Sequence, residues 1–294
     1  MSPLVALAVL LAAVTHAGWN ALAKAIGDQL LAFTLIAGGA LLPAVAGAWL
    51  TPLPSAGAWP YLVTSALLHI GYQLLLMRSF TLGDFGQMYP IARGTAPLVV
   101  TVAAALFVGE SLGGWQAAGV AVASAGLVGL ALWGVLPLGP AARRTAPRPG
   151  SGPPWPALLA ALATGLTIAG YTVVDGVGVR ASGTPLGYLC WLMILQGPFI
   201  PAYACLRHRG RLPGLLRPYA VRGLLGAALS LAAYALVLWA QTRAPLAPIA
   251  ALRESSILVG AAIGALFFKE RFGAPRILAA GVMVLGIGLM LRAG

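Results

Sequence analysis

Two arginines set the problem. Arg93 lies in QMYPIARGTAPLVV between Pro90 and Pro97, Arg253 lies in LAPIAALRESSILVG, and each stands inside a run apolar enough to cross a bilayer. A charged side chain deep in a span costs about 2.5–3.5 kcal/mol on insertion scales and usually faces the bundle interior or a water-filled cavity. The planar guanidinium fork suits a carboxylate, phosphate or phosphonate. The functional expectation is that both arginines engage an anionic group. The structural alternative is that Arg93 snorkels or binds carbonyls freed near the two prolines, and that Arg253 is neutralised by its neighbour Glu254.

Two histidines stand in similar surroundings. His16 and His69 fall in the middle of the first and third apolar runs. Imidazole titrates near neutrality, which makes both candidates for proton coupling, against the alternative of a ring hydrogen-bonded within the bundle. Aromatic and amide groups complete a candidate cavity: Trp19, Asn20, Tyr72, Gln73 and Tyr89 from the first half, Tyr171, Tyr234 and Gln241 from the second. Tyrosine and tryptophan also serve as interface anchors. His69 and Tyr72, three apart, share a helix face. Asp175 is expected to pair with Arg180 at a helix end, and Glu110 and Glu270 to be turn residues.

Chemistry of other kinds finds no footing. Cys190 and Cys205 fall within one predicted span, and no cysteine or histidine set has metal spacing, so no metal and no cofactor are expected. An intramembrane enzyme built on His16, His69 and Asp175 is the competing class, but HExxH is absent, and without GxxxxGK(S/T) the chain has no ATP-hydrolysis motif. A channel should show charge rings or carbonyl filters, and neither is evident.

The elements that must hold these residues follow from composition. Of 294 residues 60% are hydrophobic and 8% charged, against about 45–50% and 25% in a soluble domain, so lipid is the solvent for most of the chain. A hydrocarbon core of about 30 Å takes roughly 20 apolar residues per helix. Cut at its charges, prolines and glycines, the sequence yields ten such runs: 3–24, 29–50, 58–78, 86–108, 112–136, 155–179, 185–206, 217–240, 245–268 and 273–292. The first has no basic residue ahead of it and matches the others in length, so it reads as helix one rather than as a leader. The predicted class is an all-α membrane protein with ten transmembrane helices.

The formal charge of +12 is spread singly or in short clusters between spans, without a nucleic-acid-binding motif, so no nucleic-acid partner is expected. The basic residues instead read as topology signals. The side shared by both termini carries Arg180, Arg243 and Arg292; of the 18 Lys and Arg, the two inside spans and these three leave 13 for the other side. The positive-inside rule then puts both termini outside.

The proline- and glycine-rich stretch 138–154 reads as a linker between repeats at 1–137 and 155–294. At an offset of 160, Arg93, Leu98, Val99, Phe107, Glu110 and Gly126 meet Arg253, Leu258, Val259, Phe267, Glu270 and Gly286. THAGWN (15–20) meets TIAGYT (167–172), which aligns Trp19 with Tyr171. Five spans per repeat is odd, so the second repeat enters the membrane upside down. Inverted five-helix repeats are associated with secondary transporters that bind substrate near the midplane.

HAGWNALAK, YPIARGTAP, LRESSILVGAAIGALFFKER and the glycine-rich last run resemble the EamA-type branch of the drug/metabolite transporter superfamily, over the whole chain. The resemblance implies a ten-helix carrier, many such proteins being exporters of amino acids or other metabolites, although the better-known exporters keep their termini in the cytoplasm. Small multidrug resistance transporters of the same superfamily carry a proton-coupling glutamate eight residues before a lysine in helix one, and here His16 stands eight before Lys24. The expected function is a secondary active transporter of small polar metabolites such as amino acids, an exporter in the inner membrane, working by alternating access with protons as the coupling ion. Transport of organic anions or phosphonates is the alternative. The expected partners are a small-molecule substrate and the bilayer, with the protein a monomer or a homodimer.

Overall fold

The computed structural model describes residues 1–82, 93, 96–135, 155–259 and 274–292. Among them every regular element is helical. Ser2 opens α1 (Pro3–Lys24), its hydroxyl accepting from Val5 N with Pro3 in the first turn, where the missing N–H costs nothing. Asp28 opens α2 (Gln29–Leu50), Oδ1 accepting from Leu30 N at 2.9 Å and Leu31 N at 3.2 Å. Gly27, at φ 76°, makes the left-handed turn between the two helices. Next come α3 (Trp59–Leu82), the short α4 (Ala96–Ala103), and α5 (Gly114–Val135). Between α4 and α5 a π turn over Ala104–Val108 ends at Gly109, at φ 70°.

The second half runs α6 (Trp155–Ser182), α7 (Pro185–Gln196), α8 (Phe199–His208), α9 (Ala220–Gln241), α10 (Leu246–Arg253) and α11 (Ala274–Arg292). The single span expected over 185–206 is broken. Pro198 has no N–H to continue the ladder, and the Gly197 amide closes the last turn of α7 on the Met193 carbonyl at 2.8 Å. The run expected from 245 is interrupted as well: after Arg253 the chain makes a turn at Glu254–Ser255, tightened by three-residue hydrogen bonds such as Ser255 N to the Leu252 carbonyl.

Among the described residues, five stretches are long and apolar enough to cross a membrane: Pro3–Lys24, Gln29–Leu50, Ala56–Arg78, Leu158–Ser182 and Pro185–Gln241, the last containing α7, α8 and α9. Burial runs opposite to that of a water-soluble protein. Leu4, Leu7, Leu11 and Val14 on α1 and Trp49 on α2 are exposed, whereas Arg93, Asp175, Arg253 and Glu254 are buried. An apolar exterior with charged groups held inside is what a hydrocarbon solvent selects, because a charge facing lipid would find no partner.

The helices pack in pairs drawn from both halves. α1 lies along α9, α3 along α6, α4 against α10, and α5 along α11. The last pair is the closest: a Cβ at Gly286 would stand 2.5 Å from the Ala123 amide nitrogen and 2.7 Å from the Gly119 carbonyl. Gly126 faces the same seam, where a Cβ would come 3.1 Å from the Ala279 carbonyl. The small residues of these two helices therefore serve packing within one chain.

Candidate functional site

A cavity of about 110 Å³ opens at the centre of the bundle, walled by α1, α2, α3, α6, α7, α9 and the end of α10. Its aromatic wall is continuous. His69 stacks on Tyr171 with ring centres 4.0 Å apart, Tyr234 meets His69 edge-on at 5.4 Å, and Tyr72 meets Tyr171 at 5.6 Å. Ser65 fixes the His69 ring through Nδ1. Opposite, Trp19 packs edge-on against Phe33, and Ile36 and Ala40 give an apolar floor. Gln73 donates to Gln196 at 3.3 Å, a pair of amides at the rim of the polar side.

The two arginines have different surroundings. Arg93 is locked into Glu254 by two parallel bonds, Nε to Oε2 at 2.9 Å and Nη2 to Oε1 at 3.1 Å, with Ser256 Oγ at 3.4 Å. Both partners are almost wholly inaccessible, with side chains 3% exposed. Glu254 is thus taken by Arg93, and the expected pairing with its neighbour Arg253 does not form. Successive helical residues point about 100° apart, so Arg253 turns to the cavity while Glu254 turns away from it. Arg253 lines the cavity beside Tyr171 and, among the described residues, has no ion-pair partner.

His16 connects the two regions. Its Nε2 lies 2.9 Å from Arg93 Nη1, and its Nδ1 lies 3.2 Å from the indole nitrogen of Trp19. Both neighbours are pure donors, and a neutral imidazole has one acceptor nitrogen, so the ring can satisfy only one of them at a time. Asn20, expected at the substrate, instead donates to the His16 carbonyl at 2.8 Å and does not line the cavity. Gln241 likewise stands apart, donating to the Thr172 carbonyl. Tyr89 lies outside the described residues, as does Glu270.

Two acidic residues differ from expectation. Asp175 does not pair with Arg180: fully buried on α6, it accepts from the hydroxyls of Tyr188, at 2.9 Å, and Tyr234. Tyr234 stands between it and the cavity. Arg180 reaches Glu110 at 2.8 Å and the carbonyls of Gln241 and Ala244. Glu110 is therefore more than a turn residue, because its other oxygen accepts from Leu246 N at 2.7 Å and caps the start of α10. Sequence reasoning missed the amide Gln196 and Ser230, which also line the cavity. For Gln196 the signal was present, since a glutamine next to a Gly-Pro break inside an apolar run has no cheap place to go.

Fold and site together define a multi-pass helical membrane protein with an internal cavity of mixed apolar, aromatic and polar lining. The family model of the EamA-like transporter family matches residues 155–292, and the second half of the chain belongs to that family, part of the drug/metabolite transporter superfamily. Members of that family are membrane transporters. No curated protein matches the chain in sequence. A solved structure titled "Crystal structure of protein" is similar over 99% of this chain and 99% of its own, with a TM-score of 0.71 at 17% identity, a likeness of fold alone.

Proposed function

We propose that the protein is a secondary carrier that exports small metabolites by alternating access. The observation that carries this reading is the central cavity, lined by helices of both halves and flanked by the Arg93–Glu254 pair that ties one half to the other. Carriers of this architecture move by rocking two repeats around a fixed midplane site.

The packing pattern supports two inverted five-helix repeats, 1–137 and 155–294. α1 and α6 open the two halves, and α3 and α9 are the third spans of each. The contacts α1 with α9 and α6 with α3 exchange when the halves are exchanged, while α4 with α10 and α5 with α11 map onto themselves. Glu110, Arg180 and Leu246 draw the ends of the fourth, sixth and eighth spans and the start of the ninth to one face, as ten alternating spans require.

His16 is the proposed coupling site, with His69 the second candidate. A protonated His16 ring would have no acceptor left for Arg93, so proton binding and the Arg93 contact exclude each other. Loading a proton would thereby break the contact between His16 and Arg93 Nη1.

Alternating access is tested without knowing the substrate. Ser230 lines the cavity, and Cys190 and Cys205 are the native thiols. In a Cys190→Ala, Cys205→Ala background, Ser230→Cys should react with a membrane-impermeant maleimide applied to either face of oriented vesicles. Labelling from one face only sinks the reading.

A further inference from the structure

We infer that the substrate is an organic anion without an ammonium group, its acidic head held by Arg253. This rests on the carrier reading and names the chemistry that its cavity selects.

Arg253 is a buried cation, 7% exposed, which faces the cavity and has no acidic partner among the described residues. Among the described residues no carboxylate lines the cavity. Glu254, the next residue, spends both oxygens on Arg93, and Asp175 is held behind the tyrosine wall by two hydroxyls. A buried charge needs a partner to offset its lost hydration. Here the ligand supplies it. A carboxylate or phosphonate accepts the guanidinium fork, with the Tyr171 side chain beside it. An α-ammonium group would enter beside an arginine and meet no anion, and this disfavours a zwitterion against the corresponding acid.

The opposite wall defines the rest of the ligand. Trp19, Phe33 and Ile36 give an apolar surface with one indole N–H, which is half-released because His16 satisfies Arg93 or Trp19 but not both. An apolar body packs against this wall while its anionic head accepts from Arg253.

The test uses one phenyl body with four heads: 3-phenylpropionate, benzylphosphonate, phenylalanine and phenethylamine, each titrated against the full-length protein in detergent in low-chloride buffer. At least one of the two anions should bind about tenfold or more tighter than phenylalanine, a difference of about 1.4 kcal/mol, and phenethylamine should bind weakest. Preference between the two anions assigns the head to carboxylates or phosphonates. Arg253→Gln should abolish the preference for the anions, and Arg253→Lys should retain part of it. Because the ranking is read in the unaltered protein, a variant that fails to fold does not spoil the test. Phenylalanine or phenethylamine binding as tightly as the acids, no binding by either acid, or an anion preference unchanged in a folded Arg253→Gln variant would overturn the inference. None of these results touches the labelling of Ser230→Cys, so substrate class and alternating access stand or fall separately.

Discussion

Arg93 and Glu254 stand 161 residues apart in sequence and meet in a two-bond ion pair, 2.9 and 3.1 Å, buried in the bundle core. Removing one member of such a pair leaves an uncompensated charge in a low dielectric and costs about 3–5 kcal/mol. Arg93→Gln and Glu254→Gln should each lower the thermal transition of the purified protein by an amount of that order. The double variant should be less damaged than the sum of the two, and a double-mutant cycle measures the difference. Simple additivity would show that the pair is not energetically coupled.

Glu110 carries a smaller load. Its partner Arg180 has a side chain 32% exposed, so the ion pair contributes little, and the cap on Leu246 N is the larger part. Glu110→Ala should destabilise by about 0.5–2 kcal/mol, the usual cost of a lost cap. Glu110→Gln, which keeps an acceptor for Leu246 N, should recover most of that in the same melting experiment. If glutamine is as harmful as alanine, the charge and not the cap is what α10 needs.

Glycines on α11 separate cleanly. Gly286 faces the backbone of α5, and Gly288 faces open space. Gly286→Ala should force the two helices apart at about 1–3 kcal/mol, the cost of overpacking, whereas Gly288→Ala should be neutral or slightly stabilising. Equal effects at the two positions would mean that the α5–α11 seam yields.

Orientation follows from the loop charges. A phosphatase fusion after Gly294 should be active outside the membrane, and a fluorescent fusion that lights up in the cytoplasm would reverse the assignment.

Helix starts were the most legible feature of the sequence. Ser2-Pro3 and Asp28 are local cap signals, and α1 and α2 begin where those residues put them. The apolar run at 185–206 was read as unbroken although Gly197-Pro198 stood inside it, because hydropathy averages over a breaker that local geometry does not. At the site, most of the polar residues that line the cavity could be named from their polar character inside apolar runs, Trp19, His69, Tyr171 and Arg253 among them. Which charge meets which could not be read from proximity along the chain. Glu254 adjoins Arg253 but bonds Arg93, and Asp175 lies five residues from Arg180 but bonds two tyrosines. The helical turn of about 100° per residue already argued against the first pairing; the second depended on α7 and α9 folding over α6, which no local pattern encodes.

On the reading that Arg253 holds an anionic cargo, its lack of an ion-pair partner among the described residues has a kinetic corollary. Sealing the empty bundle would strip water from an uncompensated cation, while sealing the occupied one encloses a neutral pair, so the return stroke is the slower step unless cargo accompanies it. Vesicles preloaded with a labelled anion should therefore empty faster when the same unlabelled anion is present outside, and Arg253→Gln should erase that trans-stimulation. On that reading the carrier swaps one molecule for another in preference to releasing molecules one way.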